Sequence, residues 1–209
     1  MTAVAESVHK PFVREVLGRG DFAIISDLVE PNSKVLDLGC GEGELLAWLA
    51  ENKAVDARGV EISASKVRRA IARGVSAYQG DIDEVLEDYS NHAFDYVILS
   101  QTLQETRWPL KVMREMLRVG RHAIVAFPNF GHWQVRLSLL FTGRAPKTGH
   151  LPYEWYDSPN IHVLTVDDFE HALRQEGFII ERSYFLSGHH RIHVLPNLRA
   201  AIAVYLIRK

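Results

Sequence analysis

Apolar residues alternate along this chain between short unbroken runs and stretches where they recur every three or four positions, a pattern that predicts strands interleaved with helices. Val35-Leu36-Asp37-Leu38 is the first run, closed by a glycine turn. Residues 43–52 follow as a helix, with Leu45, Leu46, Trp48 and Leu49 directed toward a core. Ala57-Arg58-Gly59-Val60-Glu61 reads as a second strand and Ser76-Ala77-Tyr78-Gln79-Gly80-Asp81-Ile82 as a third. Residues 94–99 form a continuous apolar run, suited to a central strand covered on both faces. A helix over 109–117 and a strand over 122–127 come next, and Pro128-Asn129 stops the strand. Upstream, an opening helix over 13–29 ends at Pro31-Asn32. Downstream, Thr165 caps a helix over 165–176, with Asp167 and Asp168 in its first turn and Gly177 at its end. Residues 178–185 and 201–207 read as the final strands. This order predicts an α/β fold: a doubly wound, mostly parallel, seven-stranded Rossmann-like sheet with the last strand antiparallel.

The sharpest chemistry lies where the first strand meets its helix, at Leu38-Gly39-Cys40-Gly41-Glu42-Gly43. Glycines there tolerate positive φ and let a ligand approach the backbone. Pyrophosphate ordinarily sits at such a helix start, but Asp37, Glu42 and Glu44 would repel it. S-adenosylmethionine suits the turn better, having a sulfonium, an ammonium and an adenosine, and no phosphate. Glu61 follows Gly43 at close to the ~20-residue interval of a ribose-binding acid, so its carboxylate can accept from both ribose hydroxyls. Asp81, ending the third strand, can accept from the adenine amino group, with Ile62 and Ile82 on the two faces of the ring. The predicted cofactor site is therefore Asp37, Gly39, Cys40, Gly41, Glu61, Ile62, Asp81 and Ile82, holding S-adenosylmethionine or S-adenosylhomocysteine. NAD shares the glycine turn and the ribose acid. The acid two positions before Gly39 and the lack of a third glycine at the usual spacing argue against it. Taken singly, each acid also has a structural reading, Asp81 for instance as the N-cap of the next helix.

With 209 residues and 47% hydrophobic content, residues 1–209 are expected to form one domain with ample core. A net charge of −2 and a pI near 6.6 leave no footprint for nucleic acid. Lys66, Arg68, Arg69 and Arg73 read as a solvated helix face. No run approaches the ~20 apolar residues of a membrane span, and no apolar signal core opens the chain, so a soluble cytoplasmic protein is expected. Cys40, the one cysteine, permits no internal disulfide and reads as a small buried side chain. His189-His190-Arg191-Ile192-His193 matches no zinc spacing, so no metal is expected. No serine lies in a nucleophile elbow.

Residues 131–162 depart from a minimal fold. Trp133, Leu137, Leu140 and Phe141 share one helical face, a loop rich in breakers and basic residues follows, and Tyr153, Trp155 and Tyr156 add aromatics. An insertion of this length after the fifth strand is expected to hang over the ligand edge as a lid or a partner-binding element.

Val35-Leu36-Asp37-Leu38-Gly39-Cys40-Gly41, Ser100-Gln101-Thr102-Leu103-Gln104, Phe127-Pro128-Asn129-Phe130 and the aromatic stretch Gly149-His150-Leu151-Pro152-Tyr153-Glu154-Trp155-Tyr156-Asp157-Ser158-Pro159-Asn160 together resemble the MetW family of methionine biosynthesis proteins, from about Asp21 onward. The glycine motif is common to class I methyltransferases; the aromatic stretch is more specific. The resemblance implies a class I S-adenosylmethionine-dependent methyltransferase fold, a role in methionine synthesis, and association with a homoserine O-acyltransferase. Two functions follow. One is a cofactor-binding protein that partners and activates that acyltransferase, possible contacts being Trp155, Tyr156 and the neighbouring loop. The other is an active methyltransferase on a small-molecule acceptor. Methyl transfer needs alignment more than acid–base groups. Gln101, Asn129, His150 and Tyr153 are the candidates for a catalytic role, each with a packing or turn-stabilising alternative.

Overall fold

The computed structural model describes residues 19–188 and 190–209. Its parallel strands are β1 (Lys34–Leu38), β2 (Asp56–Glu61), β3 (Ser76–Gln79), β4 (Phe94–Ser100) and β5 (Gly120–Pro128). Near the C-terminus lie β6 (Ile179–Ser187), the two-residue β7 (His190–Arg191) and β8 (Ile202–Arg208). The helices are α1 (Gly20–Leu28), α2 (Glu44–Lys53), α3 (Ala64–Ala72), α4 (Ile82–Val85), α5 (Pro109–Val119), α6 (Trp133–Thr142), α7 (Val166–Glu176) and α8 (Pro196–Arg199). Strand order in the single sheet is β3-β2-β1-β4-β5-β8-β6-β7. The fold is the expected doubly wound, mostly parallel one, with β8 inserted antiparallel between β5 and β6. The eighth strand beyond the predicted seven is β7, a two-residue extension on the edge of β6 that is too short to carry a period.

Alternation along the strands sorts the interior into two layers. Val35, Tyr96, Ile98, Ile124 and Val204 pack under α1 and α2. Leu36, Leu38, Val97, Leu99, Val125 and Tyr205 pack under α5 and α7. Parallel register aligns the strand ends, pairing Leu38 with Val60, Leu38 with Leu99, and Glu61 with Gln79. The turns after β1, β2, β3 and β4 therefore converge on one rim of the sheet, the edge where such folds take ligands.

Two local outcomes differ from the sequence reading. The first helix among the described residues starts at Gly20, because Arg19 is extended (φ −119°, ψ 126°); the earlier part of the expected helix lies outside the described residues. Strand β3 stops at Gln79, so Asp81 does not end it. Asp81 instead caps α4, its carboxylate accepting from the Asp83 backbone N–H at 3.0 Å. In the insertion, His132 caps α6 and Gly143 ends it at φ 61°. The loop beyond is fastened to the rim: Leu151 is buried, and the backbone N–H groups of Ile161 and His162 donate to the Gln104 carbonyl. No helix among the described residues is long and apolar enough to cross a membrane.

Candidate functional site

The turn after β1 is built from backbone bonds. Gly39 and Cys40 N–H both donate to the Val60 carbonyl, at 2.8 and 3.0 Å, which ties the turn to β2. Gly41 N–H donates to Glu61 Oε2 at 3.0 Å, and Ser63 N–H donates to Glu61 Oε1 at 2.9 Å. Glu61 thus organises two turns at once, and its carboxylate keeps further acceptor capacity for a ligand. Gly41 has φ 58°, and a Cβ built on it would meet no protein atom within 4 Å. At Gly59, beside Asp37 in register, a Cβ would lie 2.5 Å from Cys40 Sγ, so this glycine makes room for the buried cysteine.

Charge at the turn is concentrated inward. Asp21, Asp37 and Glu61 are all buried. Arg19 binds Asp21 through Nε (3.2 Å) and Nη2 (2.6 Å), and Ser100 Oγ bridges the two. Burial pushes the Asp37 carboxyl up from 3.8 to about 7; Glu61 and Asp21 push the same way, and Arg19 opposes them. Burial, then Asp37 and Glu61, raises the Cys40 thiol to about 12, so it is inert as a nucleophile near neutral pH. The sequence reading gave Glu42 and Glu44 a share in repelling anions. In the structure Arg69 and Arg73 pair with Glu42, and Arg73 also reaches Glu44, so that role falls to Asp37 and Glu61.

A cavity of about 490 Å³ opens on this rim, within the usual range for small-molecule sites. Gly39, Gly41, Glu61, Ile62, Asp81 and Ile82 line it. Asp37 and Cys40 line a smaller recess of about 80 Å³ that shares Arg19, Gly39, Gly41 and Ser100 with it. All eight predicted cofactor residues thus gather on adjoining walls. Arg107 is also bonded to Asp81, which the sequence reading missed. Also missed were Arg19 and Glu105 on the cavity wall, and the cavity position of Lys66, which is exposed as the sequence suggests. The signal for Arg19 was the acid two positions on, which only folding brings against Ser100.

The four catalytic candidates separate. Gln101 and Tyr153 line the cavity. Gln101 holds φ 58° just past β4, and its buried Nε2 finds no partner among the described residues. Asn129 is fully occupied elsewhere: Nδ2 donates to the Asn197 and Ala200 carbonyls, and Oδ1 accepts from Gly131 and Val166 N–H. Its turn-stabilising alternative is the one the geometry displays. His150 meets His132 edge-on, with ring centroids 4.9 Å apart, away from the cavity wall. Among the described residues no three His, Cys, Asp or Glu side chains cluster as a metal site; His189 lies outside them.

That imidazole contact pins the insertion loop to the start of α6. Burial, and then His132, depresses His150 to about 4, and burial lowers His132 as well. Burial disfavours the charged form of both rings, so stability is lost as pH falls from 6.5 toward 4, where His150 takes up its proton. Hydrogen exchange should show residues 143–152 opening between pH 6.5 and 4, before the sheet does. His150→Phe should abolish that acid-specific opening; an unchanged profile in the variant would remove the pair from this role.

The sequence model described as methionine biosynthesis protein MetW matches residues 19–207, nearly the whole chain. The chain belongs to the MetW family. A bifunctional methionine biosynthesis protein MetXA/MetW from Rhodopirellula baltica is 35% identical over 193 residues, 86% of this chain; the match spans only 31% of that longer protein. Among solved structures, a Thermotoga maritima S-adenosylmethionine-dependent methyltransferase, possibly a histamine N-methyltransferase, superposes with a TM-score of 0.66 at 16% identity, covering 99% of this chain and 96% of that one. The [4+2]-cyclase SpnF superposes at 0.63 with 18% identity, covering 89% and 80%. This MetW-family chain thus has the class I methyltransferase fold, which carries more than one reaction type.

Proposed function

We propose that this MetW-family protein binds S-adenosylmethionine on the β1 turn and, as a partner protein, activates a homoserine O-acyltransferase of methionine synthesis. The fused MetXA/MetW relative carries the reading, because there the MetW-like part shares a polypeptide with a second unit named for the same pathway. Cofactor binding is supported by the fit of the residues present. Among the described residues, buried Asp21, Asp37 and Glu61 outnumber the Arg19 guanidinium paired with Asp21, which favours a cationic ligand over a phosphate. The open Cβ position of Gly41 is a cradle for close approach. Glu61 would hold the ribose hydroxyls, Asp81 the adenine amino group, Ile62 and Ile82 the ring faces, and Asp37 with the turn the cationic end. When bound, S-adenosylmethionine supplies an electrophilic methyl group and, equally, a signal of pathway output. Residues 131–162 serve as lid or partner-binding insertion on a single domain, with exposed Trp155 and Tyr156 as partner contacts. The protein works in the cytoplasm.

The second reading, a methyltransferase on a small acceptor, is favoured by Gln101 and Tyr153 on the same cavity wall. The deciding experiment is acylation of homoserine by the purified acyltransferase, with and without this protein and with and without S-adenosylmethionine. Activation by the protein, modulated by the ligand, is expected; an acyltransferase indifferent to both contradicts the partner reading. Glu61→Ala should weaken S-adenosylmethionine binding by about 1.5–3 kcal/mol, the cost of losing bonds to a charged group. Unchanged affinity by calorimetry would remove Glu61 from the ribose site.

A further inference from the structure

Helix α6 buries little of its own apolar surface. Of its ten residues only Val135 is buried, while Leu140 and Phe141 are 73% and 77% exposed and Trp133, Leu137 and Leu139 are also open. Trp133, Leu137, Leu140 and Phe141 form an i, i+4, i+7, i+8 stripe, the spacing with which a helix fills a groove on another protein. Exposed apolar patches of this kind mark interaction sites on soluble proteins.

Charge narrows the occupant. From Gly131 to Tyr153 the sequence holds Arg136, Arg144 and Lys147 and no Asp or Glu, in a chain of net charge −2. Lys147 pairs with Glu154, whereas Arg136 and Arg144 make no ion pair among the described residues. A second copy docked about a two-fold axis on this helix would set the same basic residues against each other. An anionic bilayer would meet Glu154 and Asp157 in the aromatic loop that accompanies the helix. A protein groove with an apolar floor and a carboxylate rim satisfies both features. In the fused relative, the shared chain holds its second unit near the MetW-like part at high effective concentration.

We propose that the exposed stripe of α6 is the primary docking surface for the acyltransferase, entering an apolar, acid-rimmed groove on it. The proposal rests on the partner reading above and adds a surface to it. It is tested by biolayer interferometry with the intact acyltransferase from the same organism and the full-length chain. Leu140→Glu/Phe141→Glu should weaken the complex at least ~100-fold. Both side chains face solvent, so thermal midpoint and S-adenosylmethionine affinity should stay unchanged. Arg144→Glu should weaken it less, with a flattened salt dependence. If the wild-type complex forms and the double variant binds equally well, the surface is wrong while the partner reading stands. If the wild type fails to bind, the reading and the surface fall together. Loss of a wild-type dimer in the double variant by light scattering, or wild-type binding to phosphatidylglycerol vesicles that the double variant loses, would overturn the assignment in favour of a second copy or a membrane.

Discussion

Gly41→Val is expected to lower affinity for S-adenosylmethionine by more than ~100-fold, or ~2.7 kcal/mol, in calorimetric titration. Gly41 lines the cavity, and a Cβ there meets no protein atom within 4 Å, so the valine branches would occupy ligand space. The fold should survive with a cost. A φ of 58° disfavours L side chains by about 1–2 kcal/mol, which corresponds to a few degrees in Tm for a chain of this size. Gly41→Ala carries most of that strain with only one added carbon, so it separates backbone cost from blockade: its loss of affinity should be much the smaller. Normal binding by Gly41→Val would mean that the turn is not the cofactor floor.

The second large effect concerns Asp37, whose carboxyl is pushed up to about 7, chiefly by burial. A cation arriving beside it favours the ionised form, so binding near and below pH 7 must expel a proton. Affinity for S-adenosylmethionine should therefore fall as pH drops, approaching tenfold per unit and reaching ~50–100-fold between pH 7.5 and 5. Asp37→Asn should bind more weakly at pH 7.5 and lose that slope. A wild-type affinity independent of pH across this window would contradict the assignment. Stability of the ligand-free protein runs the other way. A folded-state carboxyl raised above its unfolded value stabilises fully below pH ~4 and loses that contribution as pH rises through 7. At about 1.4 kcal/mol per unit, roughly 4 kcal/mol is at stake. Ligand at pH 7.5 should restore much of it in a thermal melt.

The sheet was legible because its central strands β1, β4, β5 and β8 are largely apolar runs, and because β1 to β5 are consecutive parallel strands joined by helices. The turn and Glu61 were legible for a related reason: spacing within one βαβ unit fixes where a side chain lands. What escaped was long-range pairing. Arg107 reaches Asp81 and Arg19 reaches Ser100 across 26 and 81 positions, and no local period encodes either contact. Lys66 is exposed, as its basic helix suggests, but its place at the cavity was not legible, because the neighbouring Arg69 and Arg73 turn instead to Glu42. Asp81 illustrates the opposite error. Gly80 ends the strand pattern one residue before the acid, so the carboxylate serves α4 as a cap while still lining the cavity. The stripe on α6 was visible as a period, but a period cannot tell a buried face from one awaiting a partner.

On the proposed function a cationic adenosyl ligand, and no dinucleotide, occupies the β1 turn. Isothermal titration of the full-length chain with S-adenosylmethionine and, separately, with NAD at pH 7.5 tests it most directly. A single saturable site for S-adenosylmethionine, absent in Gly41→Val and silent toward NAD, is the predicted result. No heat with S-adenosylmethionine, or saturable binding of NAD in its place, would contradict it.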